Sequence, residues 1–365
     1  MTETRIAIIG GGLAGLYAAY RLHQLGIAFD LFEARNRLGG RILAFGSAGF
    51  DLGPSWFWPD FQPRMHNLVT ELGLPVFEQY SAGAAMLEDR AVGVVRRQGY
   101  LSGNPSMRVE GGTAQLVAAL SGLLPATHLH LNASLTAVNL DGAAMQLLFA
   151  DTPECTGPYT HLWLALPPRL IAGIGFSPSL PEQDVGTLKA VPTWMAAHAK
   201  YVAHYTRPFW REAGLSGDAF SRIGPLNEIH DAGNSKGAAL FGFFGINALQ
   251  RAGVSESEIK AACRAQLQRL FGAEAANPVE DHFYDWAADA YTATEQDRVA
   301  GGEHAALDAG FVLSAPWADR VRLVGSEAAV EQGGYMEGAL AAVDRALSRI
   351  LTGSESIVSQ DRQDS

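Results

Sequence analysis

The chain of 365 residues carries 27 Lys and Arg against 38 Asp and Glu, which gives a formal net charge of −11. Its hydrophobic fraction of 48% provides a sizeable core and excludes wholesale disorder. Such an acidic chain without a basic stripe is a poor nucleic-acid binder, so we predict no nucleic-acid partner. Two cysteines are too few for a disulfide framework or a zinc site, and we predict no metal.

The chain shows no sign of a membrane segment. Its N-terminus runs directly into an apolar strand without a basic, cleavable leader. No uninterrupted apolar run reaches the ~18 residues that a membrane helix needs. We therefore expect a cytoplasmic protein with no membrane partner.

The first 33 residues carry a strand, a glycine-rich turn, a helix and a second strand. A short and mainly apolar run covers residues 5–9, which is typical of a buried parallel strand. Helical spacing of apolar residues follows over positions 13–25, and Gly26 occupies the usual C-terminal glycine position. A second apolar run covers positions 27–32. The pattern predicts a βαβ unit.

The rest of the chain mixes helices and strands. Further predicted helices cover residues 64–72, 111–120, 255–271 and 338–351, and further strands cover residues 193–205 and 321–325. The third of these helices carries a capping box, Ser255 with Glu258. Residues 128–166 are predicted as strands with turns at Asp141-Gly142 and Gly157-Pro158. Parallel-sheet pieces at both ends of the chain favour an α/β fold with β-rich and helical material between them.

The glycine-rich turn has the pattern Gly10-x-Gly12-x-x-Gly15, followed by Glu33 at the end of the second strand. Glycines permit the tight turn and the close approach of a pyrophosphate, and the helix N-terminus at Leu13-Ala14 stabilises its charge. The carboxylate of Glu33 is placed to accept hydrogen bonds from a ribose diol. The motif predicts an adenine dinucleotide and leaves NAD and FAD open.

Two further motifs carry a family resemblance. Glu33 is followed by Ala34-Arg35-Asn36-Arg37-Leu38-Gly39-Gly40-Arg41 and then by Asp51-Leu52-Gly53-Pro54-Ser55-Trp56. Near the other end stand Val324-Gly325-Ser326-Glu327-Ala328 and Gly333-Gly334-Tyr335-Met336-Glu337-Gly338-Ala339. In these motifs the chain resembles the flavin-containing amine oxidase family of monoamine and polyamine oxidases, from about residue 5 to residue 350.

The resemblance implies FAD and a Rossmann-type FAD-binding domain with a smaller, discontinuous substrate domain of sheet and helices. We expect residues 1–78, 107–190 and 286–352 in the FAD-binding domain and residues 79–106 and 191–285 in the substrate domain. Residues 353–365 are expected to form a disordered tail. The implied reaction oxidises the C–N bond of a small-molecule amine to an imine, with oxygen as the acceptor.

The same resemblance implies a set of site residues. Lys200 matches the lysine that holds a water at the flavin, and Tyr335 matches one wall of an aromatic cage for the amine. The residues predicted to bind the cofactor are Gly10, Gly12, Leu13, Ala14, Gly15, Glu33, Ala34, Arg35, Gly40, Arg41, Trp286, Gly325, Ser326, Glu327, Gly334, Tyr335 and Met336.

Lys200 also has a structural interpretation. Its strand carries His198 and His204 on the same side, which is equally typical of a solvated lysine on an open face. Burial in an apolar strand would instead depress its pKa and suit it to chemistry at the flavin.

The position of the second aromatic wall of the amine cage, opposite Tyr335, departs from the family pattern. Where monoamine oxidases have Cys-Tyr, this chain has Glu295-Gln296, so we expect FAD to be bound non-covalently. Tyr291, Gln296 and Trp56 are the substrate-site candidates, and Trp56 belongs to an aromatic cluster that is equally typical of core. Residues 77–110 replace a longer family segment, which favours either a more open site or a site covered by a larger substrate or a partner.

Two other functions stay open on the sequence. One is a related flavin enzyme that dehydrogenates a non-amine metabolite, and the other is a flavin-binding protein without turnover. The sequence indicates neither the particular substrate nor the oligomeric state.

Overall fold

A computed structural model describes residues 4–99, 105–150, 152–299, 307–308 and 311–361. The chain divides into two compact units, each assembled from separate stretches of sequence. The first unit comprises residues 1–40, 119–194 and 304–365, and the second comprises residues 41–118 and 195–303. No helix among the described residues combines the length and apolar character needed to cross a membrane.

Short strands and helices alternate along the described chain. The strands are β1 (Arg5–Ile9), β2 (Ala28–Phe32), β3 (Ala44–Phe45), β4 (Phe50–Asp51), β5 (Val76–Glu78), β6 (Ala84–Asp89), β7 (Gly93–Arg97), β8 (Met107–Val109), β9 (Leu129–His130), β10 (Leu135–Asp141), β11 (Ala144–Phe149), β12 (Thr152–Tyr159), β13 (His161–Leu164), β14 (Gly175–Ser177), β15 (Ala199–Tyr205), β16 (Leu215–Ser221), β17 (Leu226–Asp231), β18 (Ala238–Phe244), β19 (Glu280–Asp285) and β20 (Val321–Leu323). The α-helices are α1 (Leu13–Gln24), α2 (Pro63–Glu71), α3 (Ala114–Gly122), α4 (Pro168–Ile171), α5 (Glu182–Ala190), α6 (Phe209–Glu212), α7 (Ala248–Ala252), α8 (Glu256–Phe271), α9 (Glu295–Val299) and α10 (Met336–Asp361).

The first unit is built on a parallel five-stranded sheet in the order β20-β13-β1-β2-β9. Ile6 and Ala7 point to opposite faces of β1 and are both completely buried, so the strand is covered on both faces, which its apolar residues allow. Helix α1 connects β1 to its parallel neighbour β2, which confirms the predicted βαβ unit. A second sheet in the order β12-β11-β10-β14 belongs to the same unit.

The second unit is built on a seven-stranded sheet in the order β19-β15-β18-β17-β16-β6-β7. One face of this sheet packs on α8 through a core that contains Tyr201, Ile229 and Leu267. The opposite face buries Val202 and Phe241 in a second core. Helix α8 begins at the predicted capping box, because Ser255 accepts from the Glu258 amide while Glu258 accepts from the Ser255 amide.

The described structure corrects several predicted bounds. Gly157-Pro158 lies inside β12 rather than in a turn, at an irregularity in its pairing with β11. Strand β15 begins only at Ala199, because the preceding residues form a turn that contains Met195 with a positive φ of 57°. Helix α10 runs from Met336 to Asp361, past the predicted start of the tail at residue 353, and residues 362–365 lie outside the described chain.

The compact units also differ from the predicted domain bounds. Residues 41–78, 107–118 and 286–303 group with the second unit rather than with the remainder of the predicted FAD-binding domain. Local pairing explains two of these assignments, because β5 pairs with β8 and Phe57 pairs with Met107 inside the second unit. The assignment of cofactor and substrate roles to the two units stays a prediction.

Candidate active site

The glycine-rich turn of the first unit has no room for side chains. A β-carbon on Gly15 would lie 1.9 Å from the carbonyl oxygen of Gly10. Gly10 itself has a φ of +104°, and a β-carbon there would lie 2.6 Å from the Ala165 carbonyl oxygen. The turn therefore requires glycine for close backbone packing of strand against helix, as the motif predicts.

The N-terminus of α1 provides a site for an anion. The capping residue is Gly12, which has no side chain to occupy the first amide groups of the helix. These amides carry partial positive charge and are the usual partners of a phosphate. Gly12 pairs with Gly39 in an isolated bridge, and Gly40, with a φ of +55°, lies against Gly12. A β-carbon on Gly40 would lie 3.0 Å from the Gly12 α-carbon, so glycine at position 40 allows this close contact.

Glu33 ends β2 beside the same turn. Its side chain is only 3% exposed, and its carboxylate accepts from the backbone amide of Gly11 at 2.7 Å and of Arg35 at 2.8 Å. The Arg35 guanidinium lies 3.4 Å from the same carboxylate. These bonds hold the carboxylate at the edge of the glycine turn, where a ribose diol is recognised in dinucleotide sites. Ala34 lies between the two anchored residues and is half-buried.

The C-terminal motif of the first unit is tightly packed as well. A β-carbon on Gly325 would lie 2.6 Å from the Leu166 carbonyl oxygen. Ser326 donates to the carboxylate of Glu327 at 2.7 Å, and both residues are buried. Helix α10 begins at Met336, directly after the predicted cage residue. The motif therefore ends at a helix N-terminus, which suits the negative charge of a reduced flavin.

Tyr335 has an aromatic neighbour that the sequence did not reveal. The ring centroids of Trp194 and Tyr335 are 6.1 Å apart, with an interplanar angle of 39°. Gly334 makes this pair possible, because a β-carbon there would lie 2.4 Å from the Trp194 Cβ. Trp194 follows the end of α5 and is far from Tyr335 in sequence, so no local spacing could have linked them.

In the second unit, Lys200 is buried on β15, and its amine has defined hydrogen-bond partners. Its side chain is 2% exposed, and Nζ donates to the Gly53 carbonyl at 3.0 Å and to Ser55 Oγ at 2.7 Å. The same nitrogen lies 4.0 Å from the centre of the Phe241 ring. The interpretation as a solvated lysine is therefore wrong. Gly53 and Ser55 belong to the Asp51–Trp56 motif, so the lysine is bonded directly to this motif of the family resemblance.

A buried carboxylate, Asp51, interacts electrostatically with the Lys200 amine. Asp51 accepts from both the amide and the hydroxyl of Thr113 at 2.7 Å, and it lies 4.0 Å from the Arg108 guanidinium. Arg108 donates to the carbonyl groups of Ala232 and Gly233. Sequence reasoning missed Arg108 and Thr113. The Gly111-Gly112-Thr113 helix start and the acidic residue of the flavin motif were visible, but nothing in the sequence connected them.

Burial sets the protonation of Lys200. Removal from water lowers the pKa of its amine from 10.5 to about 7, with Asp51 acting in the opposite direction and Arg108 in the same one. Burial likewise raises the pKa of Asp51, although Arg108 and Lys200 oppose that change. A lysine with this pKa is available near neutral pH as an uncharged amine, which is the form that accepts a proton.

The remaining predicted residues of the second unit fall into two groups. Trp286 is buried, donates from Nε1 to the Leu52 carbonyl at 3.0 Å and packs against Tyr284. Trp56 is half-buried and packs on Phe241. Tyr291, by contrast, is 43% exposed, and Gln296 on α9 is also exposed.

Arg41 is also half-buried. Its backbone is in close contact with Gly53, because a β-carbon on Gly53 would lie 2.0 Å from the Arg41 carbonyl oxygen.

Comparison with known proteins identifies the class. Solved structures with the same fold include a putrescine oxidase bound to putrescine, with a TM-score of 0.78, 21% identity and coverage of 96% of this chain and 99% of that chain. Cyclohexylamine oxidase from Brevibacterium oxydans has a TM-score of 0.80 at 18% identity, with coverage of 97% and 100%. The model of an NAD(P)-binding Rossmann-like domain matches residues 8–72. The chain therefore shares the fold of these two proteins and contains a Rossmann-type unit.

Sequence comparison then assigns the family. The model of the flavin containing amine oxidoreductases matches residues 77–351. Amine oxidase (flavin-containing) A of Sus scrofa is 25% identical over an alignment of 472 residues including gaps, and the alignment covers 98% of this chain and 86% of the relative. The chain belongs to the flavin-containing amine oxidoreductase family. It is an FAD-dependent oxidoreductase, as the motifs predict.

The residues present fit that cofactor. The side-chain-free turn at Gly10, Gly12 and Gly15 and the uncapped start of α1 leave the backbone open to a pyrophosphate. The anchored carboxylate of Glu33 stands beside that turn as the partner for a ribose. The individual contacts of these residues with FAD stay predictions.

Proposed function

We propose that this enzyme oxidises an uncharged aliphatic or arylalkyl amine to the imine and uses oxygen as the electron acceptor. The observation that carries the proposal is the buried amine of Lys200, held by the Gly53 carbonyl and the Ser55 hydroxyl inside a flavin motif. Bound FAD supplies the acceptor for the hydride that leaves the carbon next to the substrate nitrogen. The imine is then hydrolysed to an aldehyde and an amine or ammonia, and oxygen is reduced to hydrogen peroxide.

Lys200 moves or holds a proton in this scheme. Because its pKa is about 7, the amine is largely uncharged above neutral pH and accepts a hydrogen bond from a water or a proton from a reacting group. Ser55 and the Gly53 carbonyl fix the direction of the nitrogen. Phe241 beside it keeps bulk water from the amine.

Tyr335 and Trp194 orient the amine in the proposal. The face of an aromatic ring attracts a cationic amine and packs flat against a neutral one. Trp194 provides an aromatic partner for Tyr335, so the departure at Glu295-Gln296 does not leave that tyrosine as an isolated ring. Support for this role comes from the resemblance of the Tyr335 motif and from the observed ring pair.

FAD is held without a covalent bond in this proposal. The family's cysteine position carries Glu295, and Cys263 lies on α8 with its side chain fully buried in the core. Acid precipitation tests the statement directly. The flavin colour should move into the supernatant, whereas colour that remains in the pellet would contradict it.

The reaction itself is tested by oxygen consumption with a panel of primary and secondary amines. The proposal expects hydrogen peroxide and aldehyde to form in a one-to-one ratio with one group of amines. A protein that contains FAD but consumes no oxygen with any amine would overturn it. Reduction of its flavin by a non-amine metabolite would then favour the dehydrogenase alternative.

A further inference from the structure

A small, open pocket lies in the first unit beside β20, the outermost strand of the parallel sheet. Strand β13 separates β20 from β1, which carries the glycine turn at its end. The pocket is lined by β20, by α10 and by the segment that precedes β20. Three of its lining residues are arginines, Arg322 on β20 and Arg345 and Arg349 on α10. None of them belongs to the residues predicted to bind FAD, so the pocket is a separate feature of the molecule.

Helix α10 directs one of its faces at this pocket. Ala342, Arg345, Ala346 and Arg349 all line it, and their spacing places them on one side of an α-helix. The two alanines are buried and have short side chains, which leaves space between α10 and β20. The longer arginine side chains flank that space.

The rest of the lining is mainly apolar. Phe311 and Leu323 are partly buried and pack against the core that contains Ala342. Val312 lines the same pocket and is 38% exposed. Apolar walls with a few polar groups are typical of sites for small organic molecules, in which the polar groups fix the orientation of the ligand.

The three arginines have no acidic partner. Among the residues that the structure describes, none of the three forms an ion pair with a carboxylate. Arg322 and Arg345 donate to backbone carbonyl groups, and each guanidinium has further donors beyond these bonds. Arg322 Nε is buried without a hydrogen-bond partner in the described chain, and the Arg349 side chain is exposed. Unpaired cations gathered at one pocket are unexpected in a chain with a net charge of −11.

The arginines also repel one another. Burial and the nearby charge of Arg349 lower the pKa of Arg322, and Asp319 opposes this change. The same two causes lower the pKa of Arg345. Because a guanidinium stays charged in proteins, the pocket holds three positive charges at neutral pH. An anion among them would relieve the repulsion and accept their free N–H donors.

We propose that this pocket binds the phosphate group of a small organic phosphate, with Arg322, Arg345 and Arg349 donating to its oxygens and the apolar wall packing against its organic part. A phosphate monoester suits three guanidinium groups better than a carboxylate does, since it carries nearly two negative charges and three acceptor oxygens. The inference goes beyond amine oxidation and does not depend on it.

Isothermal titration calorimetry tests the proposal on the FAD-loaded enzyme, in which the cofactor fills its own phosphate site. The probes are phenyl phosphate, inorganic phosphate and benzoate at constant ionic strength. We expect one molecule of phenyl phosphate to bind per chain, more tightly than either of the other two probes. In Arg349→Gln its Kd should rise about 10-fold, the loss expected for one hydrogen bond between charged groups.

Arg349→Gln should fold normally, because the exposed Arg349 side chain has no partner to lose, and its flavin content and melting temperature check this. Arg222→Gln is the matched control, since it removes the same charge from an arginine of the second unit that is 86% exposed. The control should keep the wild-type Kd for phenyl phosphate.

Absence of saturable phenyl phosphate binding would overturn the proposal, as would an unchanged Kd in Arg349→Gln. Equal weakening in Arg222→Gln would also overturn it, because the binding would then reflect general charge attraction. Benzoate that binds as tightly as phenyl phosphate would contradict the assignment to phosphate, and inorganic phosphate that does so would contradict the role of the apolar wall. No amine takes part in these titrations, so their outcome is independent of the proposed reaction.

Discussion

At the scale of single residues, the proposed reaction depends on the burial of one lysine, Lys200. Lys200 is placed on a strand beside the aromatic residues Phe241 and Phe243, and among the described residues its amine bonds to two neutral oxygens. Desolvation of an amine without a direct carboxylate partner is costly for the charged form. The nearest support, Asp51, is shared with Arg108. A buried, weakly basic amine bonded to Gly53 and Ser55 is the group that we propose to act in the reaction.

Replacing Lys200 by methionine should leave FAD bound and slow the step that this amine serves. We expect a loss of about 100-fold in flavin reduction or reoxidation, the lower part of the range for a proton-transfer group. Stopped-flow absorbance of the flavin measures both steps. Lys260→Met on α8, where the lysine pairs with Glu256, is the control. Wild-type rates in Lys200→Met would remove the lysine from the mechanism.

The same lysine predicts a pH dependence. Its amine is protonated below a pKa of about 7 and uncharged above it, so the rate of the step it serves should rise with pH through that value and then level off. The limiting rate at saturating amine is compared in wild-type enzyme and Lys200→Met from one pH unit below to one unit above. The rise should be present in the first and missing in the second. The same rise in both proteins would assign it to another group.

At the scale of elements, the turn between β1 and α1 is the predicted binding site for the pyrophosphate of FAD. Gly15→Ala places a β-carbon where the Gly10 carbonyl oxygen lies 1.9 Å away, so the turn must open and the phosphate site is lost. We expect the purified variant to contain little FAD, measured as the ratio of visible flavin to protein absorbance. Gly186→Ala in α5 meets no atom within 4 Å and is the matched control. A fully flavin-loaded Gly15→Ala protein would contradict the assignment.

Elements with a local signal were predictable, and contacts between distant segments were not. The strand-turn-helix at Gly10 and the capping box of Ser255 follow from spacing over a few residues. The Gly157-Pro158 pair was misread because these residue types favour turns, whereas pairing with β11 keeps them in a strand. The bond from Lys200 to Ser55 spans 145 residues, and no periodicity encodes such a contact.

At the scale of the whole molecule, the chain consists of two units, each assembled from separate stretches of sequence. The first carries the glycine turn, Glu33 and Tyr335, and the second carries Lys200. Family motifs revealed the cofactor because they are contiguous in sequence. Support from Arg108 and Trp194 required the fold, since each of these residues is far in sequence from the residue that it contacts.

The central claim is that this protein uses FAD to oxidise amines, and anaerobic mixing tests it most directly. Purified enzyme is mixed with an amine series in the absence of oxygen while the visible flavin absorbance is recorded. We predict that the flavin is bleached by amines and that its colour returns when oxygen is admitted. A flavin that every amine leaves oxidised would contradict the account.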